Sequence, residues 1–201
     1  MPTPIPPPLP RPLVLGSTSR YRRELLERLG LPFETAAPEV DEAPRPGEAP
    51  RELARRLALA KARDVAQRRP EALVIGSDQV ADLGGEPLGK PGDHVRATAQ
   101  LKRMRGQVVL FHTAVAVVCA GIGFEQVELA PVRVRFRDLS DAEIERYLRA
   151  EQPYDCAGSA KSEGLGISLL ESIDSDDPTA LIGLPLIGTC RLLRAAGLTL
   201  P

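Results

Sequence analysis

With 201 residues, 43% of them apolar, the chain is sized for one domain or two tightly joined lobes around a real core. A net charge of -1 supplies no field for nucleic acid or an acidic membrane surface, and aromatics at 3% leave few stacking platforms for single strands. No run of about 18 apolar residues is present, so no bilayer span is expected.

Residues 1–12, "MPTPIPPPLPRP", are rich in proline and lack the basic and apolar regions of a secretory signal. They read as a flexible extension, with a polyproline ligand as the other reading, and the folded domain is expected over 13–201. "LVLG" at 13–16 has the apolar run of a buried strand. A helix follows from Ser19 as N-cap, with Leu25, Leu26 and Leu29 inward and Gly30 as its stop. "FETAA" at 33–37 is a second strand, and "PEVDEAPRPGEAP" a polar loop. Residues 51–69 form a long helix ended by Pro70, and "ALVIGS" at 72–77 is a central strand.

A shorter helix is predicted over 92–105. Residues 107–120 and 125–136 read as a long β-pair around the Gly121–Gly123 turn. "SDAEIERYLRA" is a helix opened by a Ser140/Glu143 capping box, and a closing helix lies within 181–197. Strands and helices interleave, which makes the class α/β. Cys119, Cys156 and Cys190 are odd in number and far apart, so the chain is expected to be reduced and cytoplasmic.

Four clusters carry chemistry. In "GSTSRYRRELL" a strand runs into a small-residue loop and a helix start. Arg20, Arg22 and Arg23 crowd the end of the helix where positive charge is unfavourable, and bound phosphate would offset that. Lys61 falls in one helical row with Leu53, Leu57 and Val65. A buried ammonium there needs an anionic partner, unless it snorkels to the surface. Asp78 follows "VIGS" at the expected carboxyl end of a strand, where α/β sheets place their ligands, and Lys90 returns on a Gly-Lys-Pro turn. Glu39, Asp41 and Glu42 in "EVDE" are oxygen ligands suited to magnesium or manganese, or a solvated acidic loop. Only Lys61, Lys90, Lys102 and Lys161 are lysines among 26 basic residues, so lysine is expected where a compact point charge is needed. His94 and His112 are the only histidines, and neither sits in a triad context. The clusters together are equipment for a metal-bound polyphosphate, without a P-loop.

These motifs, with "LALAKA", "GSDQV", "GKP" and "KSEGLG…GLPL", occur in the order seen in the Maf-like nucleotide pyrophosphatases, which the chain resembles over about 13–197. The resemblance implies an elongated mixed β-sheet flanked by helices, similar to inosine-triphosphate pyrophosphatase, with two lobes around a central cleft. It implies cleavage of nucleoside triphosphates between the α and β phosphates, a divalent cation (Mg2+, Mn2+ or Co2+) and a homodimer. Asp78 matches the family's proton acceptor, and Ser17, Arg22, Lys61 and Lys90 its phosphate-binding positions. Glu42 matches an acidic residue near the metal and attacking water, with Asp78 as base or metal ligand.

Three positions, Tyr21, Gln79 and Glu163, resemble the branch that hydrolyses 7-methyl-GTP, although that branch most often has Trp where this chain has Tyr21. N7-methylation makes guanine cationic, so the Tyr21 ring would attract it and Glu163 would accept from its N1–H and N2–H2 donors. The alternatives are a pyrophosphatase for UTP, dTTP or other modified nucleotides, and a non-catalytic nucleotide-sensing regulator of cell division.

Overall fold

The computed structural model describes residues 10–200. The expected extension over 1–12 lies outside them except for its last residues. There the Pro12 carbonyl accepts from the Leu73 N–H and Arg11 pairs with Glu71, so the chain is tied to the sheet before the first strand begins. That strand, β1 (Leu13–Leu15), lies parallel between β2 (Glu34–Thr35) and β3 (Leu73–Leu83). Beyond β3 the sheet is antiparallel through β5 (Val108–Cys119), β6 (Phe124–Phe136) and β7 (Leu170–Asp174), while β4 (Glu86–Leu88) folds back on the end of β3. The result is the α/β fold that the interleaved pattern predicts, built on the mixed sheet that the family resemblance implies.

β3 differs from its expected span. It does not stop at Ser77 but runs on to Leu83, because β5 continues to pair with it through Asp78↔Ala114 and Asp82↔Leu110. Backbone pairing on one edge holds the strand together regardless of its polar side chains. Asp78 is therefore mid-strand, not at a strand's carboxyl end as expected. The end it lies beyond is that of its neighbour β1. "FETAA" shrinks to the two residues of β2, and β4 and β7 are additional short strands.

The helices are α1 (Arg20–Glu27), α2 (Pro50–Arg68), α3 (His94–Met104), α4 (Asp141–Glu151) and α5 (Leu186–Ala195). α2 carries Ala54, Ala58, Ala62 and Ala66 at successive fourth positions, all buried, beside the row Leu53, Leu57, Lys61 and Val65. The alanine row lets it lie close on the face that Val74, Val80, Ala114, Ala116 and Val118 present. On the opposite face α1 and α5 cover Leu13, Leu15, Leu73, Ile75, Val115 and Val117. α3 and α4 build a separate cluster with Phe111, Val132, Val134 and Phe136 at the other end of the long strands. One end of the long strands is thus covered on both faces and the other end holds the third cluster, with a polar stretch of β3 between them.

Gly76 sets the distance between α2 and the sheet. A Cβ there would stand 2.3 Å from the Ala58 carbonyl oxygen and 2.6 Å from the Ala62 amide nitrogen. Both obstacles are helix backbone, which cannot rotate away. Gly76→Ala is expected to cost about 2–3 kcal/mol of stability, the scale of overpacking a tight core. Urea unfolding of the variant checks this; a midpoint equal to that of the unaltered protein would show that α2 is free to lift.

Candidate active site

β1 pairs with β3 only as far as Leu15↔Ile75, and β4 begins to pair only at Ala81↔Leu88. On that side, residues 77–80 have no strand beside them. A cleft of about 810 Å³ opens at this gap. Ser17, Tyr21, Arg22, Glu42, Lys61, Asp78, Gln79 and Lys90 all line it. Eight of the nine residues expected in the site are thus brought together from five segments of the chain.

Alternation along β3 divides the polar residues between two faces. Asp78 points with Gly76 toward α2, and there Lys61 meets it. The Lys61 Nζ donates to Asp78 Oδ1 at 2.7 Å and lies 2.6 Å from Glu42 Oε1. Lys61 is only 5% exposed and Asp78 7%, so this is the partner that a lysine in an apolar helix row requires. The close approach allowed by Gly76 is what brings the ammonium within reach.

The two carboxylates on this lysine are pushed apart. Burial raises the Asp78 carboxyl above its ordinary value, and the Lys61 and Arg22 charges only partly oppose it. Glu42 is less enclosed: burial works upward there too, but Lys61, then Lys90 and Arg22, bring it below the usual range. Asp78 is the better proton acceptor of the pair. Its Oδ1 is engaged by Lys61, and among the described residues no protein donor reaches Oδ2.

Arg22 alone of the first-turn arginines is anchored inside the cleft. Its Nε donates to the Gly183 carbonyl at 2.9 Å and its Nη1 to Ser17 Oγ at 3.5 Å. Desolvation draws the guanidinium below its ordinary value, against the pull of Asp78 and Glu42. Arg20 and Arg23 instead pair along the helix with Glu24 and Glu27. Ser17 is buried and also accepts from the Ser19 N–H, while Ser19 caps α1 through the Arg22 N–H, as expected. Lys90 is exposed and near enough for its charge to act on Glu42.

The other face of β3 holds the loop before α5. Ser77 Oγ donates to the Gly183 carbonyl at 2.8 Å, and Gln79 Nε2 lies within 2.9–3.0 Å of Thr113 Oγ1, the Ala180 carbonyl and the Leu181 carbonyl. Gly183 has φ +122°, a conformation open to glycine, and its carbonyl thereby serves both Arg22 and Ser77. Gln79 lines the cleft, but its amide donors are committed to this loop. What it can offer a ligand is its carbonyl oxygen.

Glu163 is the exception among the expected residues: it is exposed on the loop after Lys161 and does not line the cleft. That loop meets the Tyr21 ring, part of the cleft wall, through Lys161, whose Nζ lies 5.4 Å from the ring centroid and 3.0 Å from Glu151. Arg20 approaches the same ring at 5.3 Å. The Tyr21 ring thus already faces two cations of its own chain. Lys161 was legible only as one of four lysines, and Asp155, a third carboxylate lining the cleft, carried no sequence signal at all.

The "EVDE" segment does not act as one cluster. Asp41 accepts from the Ala43 N–H, the Glu39 N–H donates to Asp64, and only Glu42 reaches the cleft. Among the described residues no three His, Cys, Asp or Glu side chains converge as a metal site. Glu42 and Asp78, close enough to share one ammonium, fit a hard cation that takes one or two carboxylates and completes its shell with phosphate oxygens and water. The histidines lie outside the cleft lining: His94 contacts Tyr154 and Glu145, and His112 contacts Asp82.

The family model described as "Maf-like protein" matches residues 12–196. A protein of Polaromonas sp. named 7-methyl-GTP pyrophosphatase is 74% identical over 193 residues, covering 96% of this chain and 88% of the relative. Proteins with the same name from Albidiferax ferrireducens and Aromatoleum aromaticum are 68% and 65% identical, covering 95% and 94% of this chain and 96% and 97% of their own.

Proposed function

The chain belongs to the Maf-like protein family, and from that premise we propose that it hydrolyses the α–β phosphoanhydride of 7-methyl-GTP, giving 7-methyl-GMP and pyrophosphate. The observation that carries the reading is Lys61, held between Asp78 and Glu42 on the cleft wall. Relatives that bear this activity in their name match nearly the whole chain.

The residues divide the work. Arg22, Lys61 and Lys90 with Ser17 grip the triphosphate and spread its charge. A water molecule attacks phosphorus at the α–β linkage, the bridging P–O bond breaks, and pyrophosphate leaves. Asp78 Oδ2 takes the proton of that water. Lys61 on Oδ1 keeps the carboxylate ionised and oriented, while burial makes it a stronger base than an exposed aspartate. A divalent cation, Mg2+, Mn2+ or Co2+, would be held by Glu42, with Asp78 as its ligand only where Asp78 is not the base, and would neutralise phosphate charge.

Three free cysteines, Cys119, Cys156 and Cys190, support a reducing, cytoplasmic setting. No helix among the described residues is long and apolar enough to cross a membrane. The homodimer rests on family resemblance, and sedimentation of the purified protein tests it.

The activity test is direct. Purified protein is incubated with 7-methyl-GTP, GTP, UTP or dTTP and a divalent cation, and the products are separated. The expected result is 7-methyl-GMP with equimolar pyrophosphate, formed faster than the products of the other three. Release of 7-methyl-GDP and orthophosphate, or binding without turnover, would overturn the reading.

A further inference from the structure

Three carboxylates line the cleft: Glu42, Asp78 and Asp155. The first two are bound to Lys61. Asp155 is exposed and, among the described residues, has no cationic partner; its side chain accepts only from the Cys156 Sγ–H, at 3.5 Å. Its surroundings also differ. Glu42 and Asp78 respond to Lys61 and Arg22, whereas the Asp155 charge is felt at the Tyr21 hydroxyl, which burial first of all raises above its ordinary value and Lys161 draws back. Asp155 thus lines the same cleft as the Tyr21 ring and, unlike Glu42 and Asp78, is not engaged by Lys61.

That ring is poorly placed to attract a cationic base by itself. Arg20 and Lys161 already lie 5.3 and 5.4 Å from its centroid, and the Glu151 carboxylate holds Lys161 in place. The ring's attraction for cations is thus already shared with Arg20, itself paired to Glu24, and Lys161, so less of it is left for a charged base. Glu163, the other acidic residue expected to favour the methylated base, does not line the cleft. An unpaired carboxylate in the same cleft supplies the missing attraction.

Resting on the proposed function, we propose that Asp155 is a specificity-determining residue of the cleft, selecting a purine that carries positive charge on its ring over the neutral purine of the same shape. Tyr21 supplies an apolar surface for the base, fixed by Lys161, and Asp155 supplies the charge. This division needs no contact from Glu163, which does not line the cleft.

The test compares 7-methyl-GTP with GTP, which differ by one methyl group and the charge it confers. The kcat/KM of each is measured for the unaltered protein, Asp155→Asn and Asp155→Glu. Asp155→Asn is expected to lower the 7-methyl-GTP to GTP ratio about tenfold, the scale of a partly shielded charge pair. The fall comes from 7-methyl-GTP, while GTP turnover, which reports an intact fold and phosphate grip, changes less than about twofold. Asp155→Glu, which keeps the charge, restores most of the ratio. An unchanged ratio in Asp155→Asn, or an equal fall for both substrates, overturns the inference alone. An unaltered protein with no preference for 7-methyl-GTP overturns the proposed function and this inference with it.

Discussion

Asp78→Asn is expected to lower kcat for 7-methyl-GTP by about a thousandfold while KM moves by no more than a few fold, the signature of losing a general base. Asparagine has nearly the shape of aspartate, so the β3–β5 pairing at Asp78↔Ala114 and the walls of the cleft stay as they are. Lys61 keeps Glu42 as a partner at 2.6 Å. Arg22, Ser17 and Lys90 are untouched, so the triphosphate is still gripped. What disappears is the buried cleft carboxylate whose burial raises its proton affinity. A neutral side chain at a site only 7% exposed is no harder to bury than a charged one, so the melting temperature should not fall. Steady-state kinetics and a thermal melt on the same preparation decide the matter. A kcat within about tenfold of the unaltered protein would remove Asp78 from the chemistry.

Lys61→Met is expected to cost about 3 kcal/mol of stability at neutral pH, as for one partner removed from a buried ion pair. Methionine fills similar volume in the row with Leu57 and Val65 but leaves Asp78 without its nearest cation. The pH dependence carries a definite sign. Burial already raises the Asp78 carboxyl in the folded protein, so the folded state holds this proton more tightly than the unfolded chain. Stability from this group is greatest below the unfolded value of about 3.9, falls as pH climbs through the folded value, and then levels off. Without Lys61 the folded value rises further and the window widens. The deficit of Lys61→Met relative to the unaltered protein should therefore shrink as pH is lowered from about 7 toward about 5. Urea unfolding at both pH values measures it. A deficit that is absent at neutral pH, or that grows on acidification, would show that Lys61 does not sustain the Asp78 charge.

What the sequence by itself determined was local or demanded by a single residue's chemistry. The Ser140–Glu143 capping box and the Ser19 cap were legible because the residues that satisfy a helix start lie within one turn of it. The long β5–β6 pair followed from apolar stretches on either side of a glycine turn. Lys61 declared itself by sitting among Leu53, Leu57 and Val65, where a charge must find a partner.

Which partner it found was decided by the tertiary structure. Asp78 and Glu42 reach Lys61 from a strand and a loop on opposite sides of it in the chain, and no sequence period links the three. The span of β3 was misjudged at Asp78 because hydrogen bonding to β5, not side-chain polarity, holds the strand, and β5 lies some thirty residues further on. Asp155 and the Lys161–Tyr21–Arg20 arrangement were invisible for the same reason: an ordinary aspartate and an ordinary lysine acquire a role only when folding sets them against a ring from another part of the chain. Charge type and burial can be read along a sequence, whereas the direction in which a buried charge is satisfied depends on distances that exist only once the sheet has formed.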